Sequence, residues 1–341
     1  NTQITPQAVE AMCARHADIK AVLVTSPNYY GQAADLKAIA GIAHAHNAAL
    51  LVDEAHGPHL GFSSKLPPSA LQCGADACAQ STHKILGAMT QCSLLHVKGG
   101  RINLTRAAEA VSLLITTSPN YLLMASIDAA RYTLAVQEKL IERALTAAEK
   151  LRKCLSKFAG LKLLDAGCTG KNGIAGFDCT KVTVNTAAWG YSGTEAGDAL
   201  RKAGIAVELT DAQNVLFLVT FADGGAEYDA VLEKISSVFA GLEQHKRAPL
   251  KEQNCWKLPE FVTAVPLRSA FDAGTESLPL QEAEGRICAE QVSFYPPGIP
   301  VLWPGELVTA EVIDYCLRMK KLGLPVSGPA DYTLTELRVI K

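Results

Sequence analysis

Short apolar runs alternate with a helical pattern near the start of the chain, and this alternation constrains the fold more than any other feature. Runs typical of buried strands occupy residues 20–24, 49–52, 75–79 and 92–97. Between the first two runs, residues 35–46 place apolar side chains at helical spacing. A helix between two such strands is typical of a βαβ crossover. The sequence therefore predicts an α/β fold with a parallel-type sheet, in which ligands bind beyond the carboxyl ends of the strands.

The rest of the pattern predicts four consecutive parts. Residues 1–150 are predicted to form the large domain, with a helix from 121 to about 158 that is long enough to bridge two domains. Strands and helices follow closely in residues 151–245, which predicts a small α+β domain. Residues 246–284 are mixed and contain proline, as expected of a connector, and residues 285–341 are predicted to form a C-terminal α+β module.

Charge and composition exclude several classes of protein. With 32 Lys and Arg against 34 Asp and Glu, the formal net charge of −2 gives no electrostatic footprint for nucleic acid or an anionic membrane. No apolar run approaches the ~18 residues of a membrane span, and the sequence shows no signal or transit peptide. The ten cysteines form no C-x-x-C pair, so neither a zinc site nor a redox motif is predicted. Such cysteines favour a reducing compartment, either the cytoplasm or an organelle.

Asp53 and Lys84 each follow one of the apolar runs and are expected at the same edge of the sheet. A pyridoxal phosphate enzyme requires this layout, because the lysine forms the Schiff base and the acid keeps the pyridine nitrogen protonated. Ser81 and His83 can donate hydrogen bonds to the cofactor phosphate from the same turn. The alternatives are a solvated surface lysine and an aspartate that caps a helix. No role is predicted for Glu54.

Other polar residues are open to two interpretations. His56 either contacts the ring or phenolic oxygen of the cofactor or serves in packing. The turn at residues 116–121 either caps a helix or carries hydroxyls that reach a phosphate, across a subunit boundary. Three further histidines lack a partner at metal-ligand spacing, so no metal site is predicted and they are interpreted as surface or capping residues. They are His44, His46 and His59.

Several segments of the chain resemble the Orn/Lys/Arg decarboxylase family, the bacterial-type basic amino acid decarboxylases of the aspartate aminotransferase fold. The segments are residues 24–31 (VTSPNYYG), 52–57 (VDEAHG), 66–70 (LPPSA), 80–84 (QSTHK), 117–121 (TSPNY), 285–287 (GRI), 295–300 (YPPGIP) and 304–306 (PGE). The lysine motif alone is also similar to that of cysteine desulfurases. The proline-rich C-terminal motif selects the decarboxylases.

The resemblance implies pyridoxal 5′-phosphate-dependent decarboxylation of arginine, lysine or ornithine to a di- or polyamine precursor. It also implies a homodimer or an assembly of dimers. By resemblance, Lys84 binds the cofactor covalently, Asp53 pairs with the pyridinium nitrogen, and Ser81 and His83 bind the phosphate.

Two further roles rest on the resemblance. Thr117 or Ser118 is expected to reach the phosphate of a neighbouring subunit's cofactor, and Glu306 is expected at the entrance or at the substrate's basic end. Relatives carry a phosphate loop and a ring-stacking histidine upstream of the position of residue 1, so the N-terminal part of the large domain is expected to be missing here. The start at Asn1, without methionine, is expected of the later part of a longer polypeptide or of a processed chain.

Two other functions remain open. One is a non-catalytic structural or interaction subunit derived from this family, an interpretation favoured by the missing phosphate loop. Lys84 and Asp53 argue against it, because an inactive subunit has no chemical need for either. The other is desulfuration or transamination on the same cofactor and fold. Transamination usually requires an arginine that binds the substrate carboxylate, and the sequence does not identify one.

Overall fold

The computed structural model describes residues 2–137, 139–250, 258–295 and 298–341. The chain divides into two compact units. The first unit consists of Asn1–Asn185 and Leu216–Gln244, and the second of Thr186–Val215 and His245–Lys341. Cys255, and the two prolines at 296 and 297 in the C-terminal motif, lie outside the described residues.

Ten α-helices, four short 3₁₀ helices and fifteen strands are formed by the described residues. The α-helices are α1 (Pro6–Arg15), α2 (Leu36–Ala45), α3 (Thr82–Ile85), α4 (Leu104–Leu114), α5 (Tyr121–Val136), α6 (Lys139–Leu155), α7 (Gly193–Lys202), α8 (Tyr228–Gln244), α9 (Leu267–Asp272) and α10 (Ala310–Lys321). The strands are β1 (Ala21–Thr25), β2 (Gln32–Ala34), β3 (Ala49–Asp53), β4 (Ala77–Gln80), β5 (Leu94–Val97), β6 (Lys162–Leu163), β7 (Ile174–Phe177), β8 (Lys181–Asn185), β9 (Leu209–Thr210), β10 (Asn214–Leu218), β11 (Thr275–Pro279), β12 (Val292–Phe294), β13 (Pro300–Leu302), β14 (Val326–Ser327) and β15 (Glu336–Ile340).

A four-stranded sheet in the first unit has the order β1-β3-β4-β5. β1 and β4 both run parallel to β3, which places Asp53 between Thr25 and Ala79. β5 runs antiparallel to β4, so the prediction of a parallel sheet is right for three strands and wrong for the fourth. The connection from Ile85 to Leu94 is too short for the crossover that a parallel strand requires.

Two helices cover one face of this sheet. α1 begins with Pro6 after Thr5, whose Oγ1 accepts a hydrogen bond from the N–H of Ala8, and Asp35 caps α2 in the same way. The apolar residues of both helices pack with alternate residues of the strands into one core. Its members include Val9, Cys13, Ile39, Ala43, Leu50 and Val52. Because successive strand residues face opposite sides, Leu23 and Asp53 lie on the other face, which is exposed.

The long helix predicted from residue 121 to about 158 is wrong, because the chain forms two helices there. α5 ends at Val136, and Gln137 has a non-helical backbone with φ −117° and ψ 69° before α6 begins at Lys139. Neither glycine nor proline marks this break, so the sequence pattern does not reveal it. No helix in the described part of the chain combines the length and the apolar character needed to cross a membrane.

Two smaller groups of strands complete the first unit. β2 pairs with β7 in antiparallel orientation, and β6, β8 and β10 are hydrogen-bonded side by side in that order. The first four residues of β8 are all buried. Tyr228 of α8 donates a hydrogen bond from its hydroxyl to the carbonyl oxygen of Ala147, which joins α8 to α6.

The second unit has a separate apolar core. β11 pairs with β15, and β12 lies between β13 and β14, in all cases antiparallel. Helix α10, capped by Thr309, contributes Val312, Ile313, Cys316 and Met319 to the core between these strands. This part of the chain therefore buries its own apolar surface.

Candidate functional site

Lys84 lies in a single helical turn that follows β4. Ser81 precedes this turn, which is α3. The carbonyl oxygen of Cys92 accepts hydrogen bonds from Thr82 Oγ1 at 3.0 Å and from His83 Nδ1 at 2.7 Å. These two bonds fix the turn to the segment before β5, and Lys84 remains half-buried.

A hydrogen bond joins Lys84 to His56, with 3.1 Å between Nζ and Nε2. An ammonium group can only donate, so Nε2 of His56 is the acceptor and the ring proton is on Nδ1. His56 is 5% exposed. Its pKa is lowered to about 3, mainly by burial and then by the charges of Lys181 and Lys84, while Asp178 acts in the opposite direction. The imidazole is therefore neutral near pH 7, as an acceptor for an ammonium group must be.

Tyr29 completes the surroundings of this pair. The rings of Tyr29 and His56 have centroids 4.3 Å apart at an interplanar angle of 53°, and Lys84 Nζ lies 5.9 Å from the centroid of Tyr29. Asn28 shapes the turn, because its Oδ1 accepts hydrogen bonds from the N–H groups of Tyr30 and Gln32. Tyr29 lies in the family motif at residues 24–31, but the sequence predicts no role for it in the site.

Asp53 is the last residue of β3 and its side chain is exposed. Oδ1 accepts a hydrogen bond from the N–H of Ala55 at 3.0 Å, which forms a short turn and not the cap of an α-helix. Asp53 stands opposite Ala79 of β4, and the turn with Lys84 follows that strand. The acid and the lysine thus follow the carboxyl ends of neighbouring parallel strands.

The expected phosphate ligands lie beside Lys84 in sequence and in space. Ser81 is half-buried, and its side chain makes no capping hydrogen bond to α3. The Nδ1 proton of His83 is donated to the carbonyl of Cys92, so a phosphate can bind only to Nε2. Nε2 must carry a proton to donate such a bond.

Thr117 and Ser118, of the same unit as Lys84, are not brought to it by any contact in the described part of the chain. Thr117 and Ser118 lie in the exposed turn between α4 and α5, where Thr116 Oγ1 accepts a hydrogen bond from the N–H of Ser118. The cap of α5 is Asn120. Glu306 belongs to the second unit, where its Oε2 accepts a hydrogen bond from the N–H of Trp303.

His59, predicted to be a surface or capping residue, is not at the surface. It is the N-cap residue of a short 3₁₀ helix at residues 60–62, but its side chain makes no capping hydrogen bond there. Its side chain is 1% exposed, and Nε2 lies 3.0 Å from Oδ2 of the fully buried Asp178. The prediction is right for His46, which caps the end of α2. The sequence does not reveal the pair of His59 and Asp178, because its members are far apart in the chain.

Glu54, for which the sequence predicts no role, is 1% exposed. Its two carboxyl oxygens accept hydrogen bonds from the N–H of Ala70 and from Gln80 Nε2, each at 2.7 Å. Burial raises the pKa of Glu54 against the opposing effect of these bonds. Glu54 thus ties the end of β3 to the segment before β4 and to β4 itself.

The residues at this edge suit pyridoxal phosphate chemically. Lys84 makes no ion pair with any carboxylate in the described part of the chain; its amine contacts the imidazole of His56. An exposed carboxylate at Asp53, a hydroxyl at Ser81 and an imidazole at His83 supply the other groups that the cofactor requires. This donor set fits a pyridine nitrogen and a phosphate near one amine.

Sequence comparisons with known proteins find amino acid decarboxylases. The sequence model of the Orn/Lys/Arg decarboxylase major domain matches residues 1–185, and that of the C-terminal domain matches residues 259–328. An arginine decarboxylase of Bacillus anthracis is 41% identical over 344 residues, covering 99% of this chain and 69% of that protein. An arginine decarboxylase of Bacillus subtilis (strain 168) is 39% identical over 341 residues with the same coverage.

Solved structures show the fold. The constitutive lysine decarboxylase of Escherichia coli has a TM-score of 0.74 at 20% identity, covering 99% of this chain and 61% of that one. Lysine decarboxylase A of Pseudomonas aeruginosa has a TM-score of 0.77 at 20% identity, with 99% and 60% covered. A pyridoxamine-pyruvate aminotransferase of Mesorhizobium loti has a TM-score of 0.53 at 18% identity, with 70% and 64% covered. The chain therefore spans about three fifths of the solved lysine decarboxylases and has the α/β fold predicted from its sequence.

Proposed function

Because this chain belongs to the Orn/Lys/Arg decarboxylase family, we propose that it takes part in decarboxylating a basic amino acid with pyridoxal 5′-phosphate as cofactor. Arginine is the first substrate to test, since the two similar Bacillus proteins are arginine decarboxylases, and lysine and ornithine are the others. The observation that carries the proposal is Lys84, whose amine is hydrogen-bonded to a neutral His56 next to the strand end with Asp53.

Each residue has a distinct task in this proposal. Bound pyridoxal phosphate supplies an electron sink for the bond between Cα and the carboxylate. Lys84 holds the cofactor covalently, and the Asp53 carboxylate keeps a proton on the pyridine nitrogen. His56 accepts a hydrogen bond from Lys84 and so directs Nζ. Ser81 Oγ and His83 Nε2 donate to the phosphate.

A second copy of the chain is proposed to supply Thr117 or Ser118, as in a homodimer or an assembly of dimers. Support comes from the exposed turn that carries them and from the large apolar side chains around it. These exposed residues are Leu113, Leu114, Ile115, Tyr121 and Leu122. Contiguous exposed apolar surface of this kind marks interaction sites.

Substrate recognition and compartment complete the proposal. Glu306 is proposed to bind the substrate's basic end, because a carboxylate can accept the paired hydrogen bonds of a guanidinium or those of an ammonium group. Glu306→Gln is then expected to raise KM more than it lowers kcat.

The nine described cysteines are free thiols, which is compatible with a reducing compartment.

The test is covalent trapping followed by turnover. The natural full-length protein is incubated with pyridoxal phosphate, reduced with borohydride and mapped by peptide mass, and carbon dioxide release is measured from arginine, lysine and ornithine. The adduct is expected on Lys84, with release from at least one substrate. Lys84→Ala should abolish both signals, whereas Lys20→Ala, at an exposed position before β1, should preserve them. An adduct on another lysine, or none, would contradict the proposal.

A further inference from the structure

Asp178 and His59 are buried against each other in the same unit as Lys84, with His59 Nε2 3.0 Å from Oδ2 of Asp178. Asp178 is 0% exposed and His59 is 1% exposed. The Asp178 carboxylate also accepts hydrogen bonds from the N–H of Thr180 at 3.0 Å and from its hydroxyl at 2.6 Å. Although burial alone would raise the pKa of Asp178, His59, Lys181 and Thr180 hold it below its usual range. Asp178 is therefore a fixed buried anion.

One connection from Asp178 to the candidate site runs through His59. His59 and His56 belong to one tightly turned segment, in which Gly57 N–H donates to the carbonyl of Glu54 and Leu60 N–H donates to the carbonyl of Gly57. Since these turns leave the backbone little freedom, holding the His59 ring against Asp178 also sets the place of His56.

A second connection runs through Gly31. The N–H of Asp178 donates to the carbonyl of Gly31 at 2.7 Å, and Gly31 N–H donates to the carbonyl of Asn28. A Cβ at Gly31 would lie 2.7 Å from the carbonyl oxygen of Asp178 and 2.8 Å from Cγ of Lys181, so the two backbones are in direct contact. This contact holds in place the turn that carries Tyr29, and the ring of Tyr29 packs against the ring of His56.

The charges around His56 give an electrostatic reason why Asp178 is needed beside it. Three cationic or basic groups lower its pKa, and Asp178 is the acid that opposes them. Those three groups are Lys181, Lys84 and His59. Removing the negative charge of Asp178 would leave them unbalanced in an interior where charge repulsion is poorly screened.

We propose that Asp178 is a positioning residue of the candidate active site, which holds His56 from two sides and thereby fixes the hydrogen bond between His56 and Lys84. The inference rests on the proposed role of Lys84. Asp178 acts through His59 on one side and through Gly31 and Tyr29 on the other, and it touches neither cofactor nor substrate in this role.

The test is Asp178→Asn in the full-length protein, which removes the charge and keeps the size. Two readouts are compared with the wild type: the rate of borohydride-trapped cofactor attachment at Lys84, and the side-chain nitrogen NMR signals of His56. Trapping is expected to slow between about tenfold and a hundredfold, as for a reacting group displaced by a fraction of an ångström to 1 Å. His56 is expected to change from one tautomer, with the proton on Nδ1, to a mixture of tautomers.

The matched control is Asp76→Asn. Asp76 is also a buried aspartate in the first unit, 3% exposed, paired with His44 at 2.8 Å and accepting a hydrogen bond from the N–H of Leu50. It precedes β4, at the end of the sheet opposite to Lys84. Both variants are expected to lower the melting temperature, but only Asp178→Asn should change trapping and the His56 signals.

Each possible result either supports or overturns the proposed role of Asp178. Wild-type trapping and unchanged His56 signals in folded Asp178→Asn would overturn the proposal, as would equal changes in Asp76→Asn. If Asp178→Asn does not fold, Thr180→Val is used instead. It removes the hydroxyl that bonds Asp178, and smaller changes in the same direction are expected. If the wild type itself traps no cofactor, the proposed function fails, and the His56 signals alone decide the role of Asp178.

Discussion

Lys84 donates its hydrogen bond to the neutral imidazole of His56 and not to a carboxylate. A carboxylate partner would stabilise the charged ammonium form by a direct ion pair, which a neutral acceptor does not do. The site therefore separates two tasks: an imidazole directs the lysine, while the acid Asp53 stands at the end of the neighbouring strand.

Asp53→Asn is expected to reduce decarboxylation by about 10²–10³-fold while cofactor content falls far less. A neutral amide cannot hold the proton on the pyridine nitrogen, so the ring loses its capacity to accept electrons. Carbon dioxide release per bound cofactor is the measurement. Asp198→Asn, at an exposed position on α7, is the control and should match the wild type. Near-normal turnover in Asp53→Asn would assign the pyridine contact to another residue.

His56 is expected to make the protein less stable as the pH falls from about 6.5 towards 3. Its pKa is lowered from 6.5 in the unfolded chain to about 3 in the folded chain. Between these values the unfolded state binds the additional proton, so stability rises with pH across this interval and is lost on acidification. The slope contributed by one such group is at most about 1.4 kcal/mol per pH unit.

Denaturant unfolding of the apoprotein between pH 7 and pH 4 measures this effect. His56→Gln keeps an acceptor for Lys84 but cannot titrate, so its stability should depend less steeply on pH than that of the wild type. Equal slopes in the wild type and in His56→Gln would show that the native His56 is not held neutral by its surroundings.

Glu54 is expected to have the opposite pH dependence. Burial raises its pKa above the usual 4.5, so above that pH the folded state retains a proton that the unfolded state has lost. Stability from this group is complete below about pH 4.5 and is lost as the pH rises through the folded pKa. Relative to the wild type, Glu54→Gln should therefore become less destabilising as the pH rises from 4.5 to 8. A constant difference in the free energy of unfolding would refute the raised pKa.

Gly31→Ala is expected to destabilise the protein by about 1–3 kcal/mol or more. Gly31 has φ +84°, and the added Cβ would meet the carbonyl oxygen of Asp178 at 2.7 Å. Gly41 of α2 provides the contrast, since a Cβ there meets no atom within 4 Å. Gly41→Ala should stabilise the helix by about 0.5–1 kcal/mol. Thermal unfolding of both variants checks the two signs together.

The sequence was sufficient to predict the elements that depend on local pattern. α2 lies within the helical pattern predicted for residues 35–46 and begins directly after Asp35, because a cap bonds to N–H groups only a few residues away. The strands before Asp53 and Lys84 are visible as apolar runs, and the parallel pairing then brings both residues to one edge of the sheet. The family motifs identify the same segments, since they contain these residues.

The tertiary structure alone decided which distant residues meet. It buries His59 against Asp178, surrounds Glu54 with donors from Ala70 and Gln80, and turns β5 antiparallel. Local periodicity carries no information on such pairs, because the free energy of burying a charge depends on partners that only the folded chain supplies. The neutral state of His56 has the same origin. That residue 56 is a histidine is known from the sequence. The protonation state of His56, however, is set by burial and by Lys181, which the fold places near it.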